Sequence, residues 1–502
     1  MNADSLREIR DYAGARTTRG ISDRAIADFA ERDPDLRRAI AAAVEIHRSL
    51  REEWGEDLAL DETALTERLQ DDFVNFYTPK AINPYVPLAA AGPWIVTTHG
   101  AVLHDSGGYG MLGLGHAPPE IDEALAHPWV MANVMTPQFS QKRLADRLKA
   151  EIGHQRGHCP FSHFICMNSG SESVSVASRI CDIHALKMTG AGGRHEGKVL
   201  WQVSLAEGFH GRTYRAARVS DATRAVYEKH LASFQEPGDL HVVEPNDVEG
   251  LRGLFRQADE SNAFIEAVYL EPVMGEGEPG LPLERAFYDV ARELTREHGS
   301  LLIVDSIQAA LRAAGCLSLV DYPGFEDCDA PDAETYSKAL NAGQYPLSVL
   351  ALREETAALY EPGVYGNTMT TNPRALEVGC AVLDAVDADM RRNIQERGAE
   401  LRAGLEALAD EFPGGILKVS GTGLMVNAEL DPDRYTVVGD RGFEHFLRTH
   451  GVAMIHGGHN GLRFTPHFRI TREEIRLILD TVREGMRVMD MKQKTKEAAA
   501  GS

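Results

Sequence analysis

The chain has 502 residues, 43% hydrophobic and 25% charged, the balance of an ordinary globular protein. Its 52 Lys and Arg stand against 75 Asp and Glu, a formal net charge of −23 that argues against nucleic acid or an anionic membrane as partner. A few local arginines can still hold one small anion.

The first 85 residues read as a polar, mostly helical extension, with Leu36, Ile40, Ala43, Val44 and His47 at helical spacing between Asp35 and Arg51. The N-terminus shows no apolar signal core, and no apolar run reaches the ~18 residues of a membrane span. From Gly92 to Gly115 the chain is glycine-rich. Its Gly108–Gly113 stretch spells GxGxxG, but no helix opens at the third glycine, so it is not read as a dinucleotide loop. Between about 120 and 375, short apolar runs alternate with amphipathic helices. Ala267–Val273 reads as a strand, Arg285–His298 as a helix stopped by Gly299, and Leu301–Ile307 as a second strand. That order predicts a parallel sheet covered by helices. Beyond about 390 come a helix through Leu401, Leu405, Leu408 and Phe412, strands near 424–430 and 462–465, and a last helix. That helix is announced by Thr471 as N-cap, Glu474 completing a capping box, and an Ile470–Ile475 staple.

The expected architecture is α/β. A large domain, 121–389, carries a mainly parallel sheet. A small α+β domain is assembled from 86–120 and 390–490, and a polar frayed tail follows at 491–502. Six scattered cysteines without a CxxC pair read as the reduced thiols of a cytoplasmic protein. His154, His158 and Cys159, or His456 and His459, offer too few ligands at knuckle or helical spacing, so no metal is expected.

Three segments carry chemistry. Asn168-Ser169-Gly170-Ser171-Glu172-Ser173 follows an apolar run and opens a helix through Met188, so it is either a phosphate-binding turn or a plain serine cap. Asp305 ends a strand, facing a ligand crevice or capping a turn. Lys338 sits among small and apolar residues in Ser337-Lys338-Ala339-Leu340, as a nucleophile or a solvated lysine. Together a phosphate turn, a strand-end acid and a later lysine are the parts needed for pyridoxal 5'-phosphate. The lysine makes the Schiff base, and the acid keeps the pyridine nitrogen protonated.

Over roughly residues 85 to 485 the sequence resembles the class III (ornithine and ω-amino acid) aminotransferases of pyridoxal-phosphate fold type I. Asn168–Ser173 resembles the phosphate-cup turn and Phe209-His210-Gly211-Arg212-Thr213 the F(H/W)GRT segment. Glu271-Pro272-Val273-Met274-Gly275-Glu276-Gly277 resembles EPxxGEG, and Asp305-Ser306-Ile307-Gln308 resembles DEVQ. Ser337-Lys338 with Gly343 and Pro346-Leu347 resembles the lysine segment, Gly366-Asn367-Thr368 through Pro373 the GTxxGNP segment, and Leu462-Arg463-Phe464 the LRFxPP segment.

The resemblance implies that Gly170 and Ser171 hold the phosphate, and that Thr368 adds a phosphate contact for the neighbouring subunit of a homodimer. Phe209 and Ile307 would flank the ring. Asp305 would pair with the ring nitrogen, Gln308 would reach the phenolic oxygen, and His210 and Glu271 would belong to the same cofactor pocket. Lys338 would carry the cofactor and shuttle the proton. Arg463, with Glu276 as its switchable partner, would fix the substrate α-carboxylate, and Arg212 a second carboxylate. The implied reaction is transamination from an amino acid donor, read as ω-amino, to 2-oxoglutarate. A lyase or aminomutase on the same scaffold, and a non-catalytic ligand-binding protein of this fold, are the alternatives. Ser306 stands where the family has glutamate, and Ser175 where the phosphate-cup helix has its second glutamate.

Overall fold

Helix and strand signals combine differently at the chain ends and in the middle, and the computed structural model resolves them into two units. One joins Met1–Pro119 to Glu396–Ser502, and the other is Glu120–Gln395. Residues 3–131, 134–235 and 239–500 are described.

In the first unit the apolar stripe read at Leu36, Ile40, Ala43, Val44 and His47 is buried on a Pro34–Leu58 helix, capped by Asp33 and bent at Trp54. It packs with the Asp23–Arg32 helix against three strands, β1 (Pro87–Ala91), β2 (Trp94–Thr97) and β3 (Val102–Asp105). Trp94, fully buried, donates its indole N–H to Asp33 Oδ2 at 2.5 Å, tying the N-terminal helices to β2. The polar N-terminal segment therefore shares a core with the strands that follow it.

The second unit contains β4 (His163–Met167), β5 (Val199–Leu205), β6 (Leu240–Val243), β7 (Ala263–Leu270), β8 (Leu301–Asp305), β9 (Ala333–Tyr336) and β10 (Ser348–Leu352). They form one seven-stranded sheet in the order β4-β10-β9-β8-β7-β5-β6. The run β9-β8-β7-β5-β6 is parallel, and β10 alone runs against both its neighbours. This is the mainly parallel α/β sheet expected. The Arg285–His298 helix lies between β7 and β8 and stops at Gly299, whose φ of 72° is one that glycine adopts without strain.

Two strand limits differ from the sequence pattern. β7 starts at Ala263 because Glu266, a charge inside the apolar run, is buried there and accepts a hydrogen bond from Gln202. Burial pushes its carboxyl up to about 7. β7 ends before Pro272, which has no N–H to give the ladder. β8 stops at Asp305, not Ile307, because Asp305 Oδ1 accepts from the Ile307 N–H at 3.0 Å and turns the chain.

The chain then returns to the first unit with β11 (Ile416–Thr422), β12 (Met425–Leu430), β13 (Val452–Ala453), β14 (Ile455–Gly457) and β15 (Gly461–Phe464). β13 joins β3 in parallel, and β11-β12-β15-β14 form an antiparallel sheet. The last helix, Arg472–Ala500, begins at the expected capping box. Glu474 Oε2 accepts from the Thr471 N–H at 2.6 Å, and the Glu474 N–H donates to Thr471 Oγ1 at 3.3 Å. It runs through most of the segment read as a frayed tail, whose Lys, Glu and Ala are good helix formers; residues 501 and 502 lie outside the described residues. Among the described residues, no helix is long and apolar enough to cross a membrane.

Candidate active site

The C-terminal ends of the parallel strands collect the charged groups. Asp305 ends β8, is 5% exposed, and holds its Oδ2 2.9 Å from His210 Nδ1. Burial opposes a proton on His210, but the facing Asp305 and, further off, Glu271 outweigh it and raise its pKa above the ordinary imidazole value. Glu271 follows directly on β7. Its two oxygens accept from the Phe209 N–H at 2.9 Å and the Gly275 N–H at 3.0 Å. Burial and, more weakly, the Asp305 charge push its carboxyl up, against the pull of His210 and those N–H donors, to about 7. His210 and Asp305 thus form one buried hydrogen-bonded pair, with His210 Nδ1 able to donate to Asp305 Oδ2, and Glu271 lies near enough to both for its carboxyl to respond to them.

Lys338 reaches the same end of the sheet by register. Asp305 pairs with Thr335 across β8 and β9, and the Ser306 N–H donates to the Thr335 carbonyl at 3.0 Å. Lys338 comes three residues after Thr335 and opens a short 3-10 turn, Lys338–Asn341, with φ +44°. A lysine in the left-handed region is strained unless its surroundings hold it. The holders are Ser337 Oγ and Asn341 Nδ2, each donating to the Leu347 carbonyl at 2.8 Å.

The Gly170–Thr189 helix aims its N-terminus at this edge. Ser169 caps it, and Glu172 accepts in return from the N–H groups of Asn168 (2.8 Å) and Ser169 (3.0 Å). Ser348 Oγ on β10 donates to the Ser169 carbonyl at 2.7 Å, and Ser173 hydrogen-bonds Thr335 on β9, which fixes the helix start to the two strands flanking the lysine turn. The first-turn N–H groups of Gly170 and Ser171, with the helix dipole, are an arrangement that can seat an anion.

Glycines keep this seat narrow. A Cβ on Gly170 would meet Ile307 Cδ1 at 2.6 Å, and one on Gly211, where φ is +123°, would meet Ser171 Oγ at 2.3 Å. Ser171 Oγ also accepts from the Arg212 N–H at 3.1 Å. Gly275 lies as close to Gln308, 2.3 Å from its Cδ by the same measure. Phe209 is half-buried with the Arg212 guanidinium 5.4 Å from its ring centre.

These contacts bring together Gly170, Ser171, Phe209, His210, Arg212, Glu271, Asp305, Ile307 and Gln308 through direct neighbours, with Lys338 joined by strand register. Glu276 follows the Gly275 turn and is half-buried. Thr368 is exposed, and the adjacent Asn367 donates to Glu172 Oε1 at 2.9 Å. Arg463 is buried on β15 in the other unit.

The residues fit pyridoxal phosphate in kind: a helix N-terminus of small residues for a dianion, a buried carboxylate for a cationic ring nitrogen, a lysine in a preset turn. Sequence reasoning missed Ser220, Asn341 and Glu334. Ser220 Oγ accepts from the His210 N–H at 2.8 Å and donates to the Ala216 carbonyl at 2.9 Å. Glu334 on β9 receives Ser306 Oγ at 2.5 Å and the Leu319 N–H at 2.9 Å. The one available signal was Ser306 itself, at odds with the motif.

The family model described as Aminotransferase class-III matches residues 77–485. The chain is 30% identical over 408 residues to the acetylornithine aminotransferase of Neisseria meningitidis serogroup B, covering 80% of this chain and 94% of the relative. It is 29% identical over 372 residues to that of Thermosynechococcus vestitus, covering 73% and 84%. In fold it resembles the ornithine aminotransferase of Toxoplasma gondii, with TM-score 0.74, 21% identity and coverage of 88% and 99%. The taurine:2-oxoglutarate aminotransferase of Bifidobacterium kashiwanohense has TM-score 0.71 at 16% identity, covering 86% and 98%.

Proposed function

Because the chain belongs to the class-III aminotransferases, which are pyridoxal-phosphate-dependent enzymes of amino acid metabolism, we propose that it passes the amino group of an ω-amino acid to 2-oxoglutarate. The observation that carries the reading is the buried Asp305–His210 pair at the end of β8, in register with the strand that leads to Lys338.

The bound cofactor supplies the electron sink for the carbon that loses its proton. Gly170 and Ser171 seat the phosphate with N–H groups at the helix N-terminus. Asp305, oriented by His210, would keep the proton on the ring nitrogen, Phe209 and Ile307 would confine the ring, and Gln308 would reach its phenolic oxygen. Lys338 Nζ would anchor the cofactor and would be the base that takes up and gives back the proton at the donor carbon bearing the amine. By the family resemblance, Arg212 and Arg463 would each receive one carboxylate of the acceptor as a bidentate partner, with Glu276 the switchable partner of Arg463 when a donor enters amine-first.

The active unit is proposed to be a homodimer with Thr368 serving the partner's phosphate. The exposure of Thr368 in the single chain supports this. So do the exposed apolar side chains of Val130, Met131, Val134, Met135 and Phe139, a surface that a second copy would cover. A cytoplasmic enzyme is supported by six free cysteines.

A donor panel of N-acetylornithine, ornithine and taurine, each with 2-oxoglutarate, tests the reaction. Stoichiometric glutamate is expected from one of them. Ammonia released without acceptor overturns the reading in favour of a lyase. Lys338→Ala is expected to abolish both turnover and the visible absorbance of the bound cofactor.

A further inference from the structure

Three buried side chains of the first unit converge, and none of them is among the residues assigned above to cofactor or substrate. His104 on β3, His467 in the loop after β15 and Glu474 in the first turn of the last helix place one donor atom each within 4.8 Å of one another. Glu474 Oε1 lies 3.6 Å from His104 Nε2 and 3.4 Å from His467 Nε2, and the three side chains are 4%, 0% and 9% exposed respectively. Both Nε2 atoms are buried without a hydrogen-bond partner.

The remaining atoms of the set are already committed elsewhere. His104 Nδ1 is 2.8 Å from Ser106 Oγ, so a proton on Nδ1 leaves Nε2 as the lone-pair nitrogen. Glu474 Oε2 accepts from the Thr471 N–H at 2.6 Å and from Thr471 Oγ1 at 2.9 Å, which leaves Oε1 toward the imidazoles. An outer ring of hydrogen bonds that aims each donor inward is what metal ligands require.

We propose that His104, His467 and Glu474 bind a divalent transition-metal ion of the zinc type, through His104 Nε2, His467 Nε2 and Glu474 Oε1. Tetrahedral zinc, with bonds of ~2.0–2.1 Å, places neighbouring donors about 3.3–3.5 Å apart, close to the two separations found. Two neutral imidazoles and one carboxylate suit zinc better than magnesium or calcium, which take oxygen ligands. Two of the three ligands, His467 and Glu474, line a cavity of about 550 Å³ together with Thr471, Phe29, Asp33 and Asp35. Those last three lie before residue 77, outside the family match, so the N-terminal helices wall the site. The ion would pin β3 to the last helix across 370 residues of chain, a link that local spacing cannot reveal.

Zinc alone is the probe. The holoenzyme is incubated with zinc chloride, passed through gel filtration in a weak chelator, and its metal content measured with its melting temperature. One zinc per chain and a raised melting temperature are expected. His104→Gln and His467→Gln should lose the zinc while keeping the cofactor's absorbance, and Ser106→Ala should weaken zinc binding by ~10–100-fold. No retained zinc in the wild type, or equal zinc in folded His104→Gln and His467→Gln, overturns the proposal. Should both histidine variants fail to fold, zinc-edge X-ray absorption on the wild type decides. A shell with two imidazoles and a carboxylate oxygen supports the site, and any other shell overturns it.

Discussion

His210 Nδ1 lies 2.9 Å from Asp305 Oδ2, and both side chains are buried. The imidazole stands behind the carboxylate as its orienting partner, and the N–H of His210 is itself held by Ser220. Asp305→Asn keeps the shape and removes the charge. It should lower kcat by ~10²–10³-fold, the scale seen when one preorganised electrostatic partner is lost. The pair also affects stability. The raised pKa of His210 means its contribution is complete below the ordinary imidazole value and fades as pH rises through the higher folded value. Melting curves of wild type and Asp305→Asn should therefore differ most in acid and converge in base.

Glu271 gives the stability profile a second component of the same sign. Its folded pKa is about 7, above that of a free glutamate, so the unfolded chain ionises first and stability drains as pH rises toward 7. Glu271→Gln cannot ionise. Its melting temperature, offset by the hydrogen bond that an amide cannot accept, should gain on the wild type between pH 5 and 8; parallel curves would refute the assignment.

A Cβ on Gly211 would press on Ser171, one of the two residues proposed to seat the phosphate. At φ +123°, an alanine there is strained by ~1–3 kcal/mol even before its Cβ meets Ser171 Oγ. Gly211→Ala should show that loss in urea unfolding and a larger loss in cofactor affinity by titration, because Ser171 must move.

Ser306 replaces the glutamate of the usual motif and donates to Glu334, which is fully buried and whose carboxyl burial pushes up to about 7. Restoring the motif should harm this chain. Ser306→Glu sets two carboxylates side by side in the core, and a buried charge without its partner costs about 3–5 kcal/mol. The double variant Ser306→Glu with Glu334→Gln should recover part of it, measured as the urea midpoint.

Arg292 forks onto Asp332 at 2.7 and 2.9 Å, and Asp332 also accepts from the Leu302 N–H at 2.8 Å at the start of β8. Arg292→Leu would strand that carboxylate beside the sheet. A loss of about 3–5 kcal/mol is expected in denaturant unfolding.

Much of this was legible in the residue order. The Gly299 stop, the Thr471–Glu474 capping box and the turn opening at Gly170 all appear where their patterns predicted. Each rests on contacts within four residues, where backbone propensity and one side chain decide the outcome. β7 and β8 were misjudged at their ends because a buried charge, Glu266, and a side chain that turns its own backbone, Asp305, contradict the apolar pattern.

By itself, then, the sequence determined the elements, the mostly parallel order of strands and helices, and the family whose motifs it carries, since these depend on periodicity and on residues close along the chain. Only the tertiary structure decided that His210 meets Asp305 across 95 positions, that Lys338 adopts a strained turn held by Leu347, that Ser306 satisfies Glu334, and that His104 faces Glu474. Such pairings exist only after strand order and burial are settled by the whole chain, and a buried polar group then takes whichever partner that packing leaves within reach.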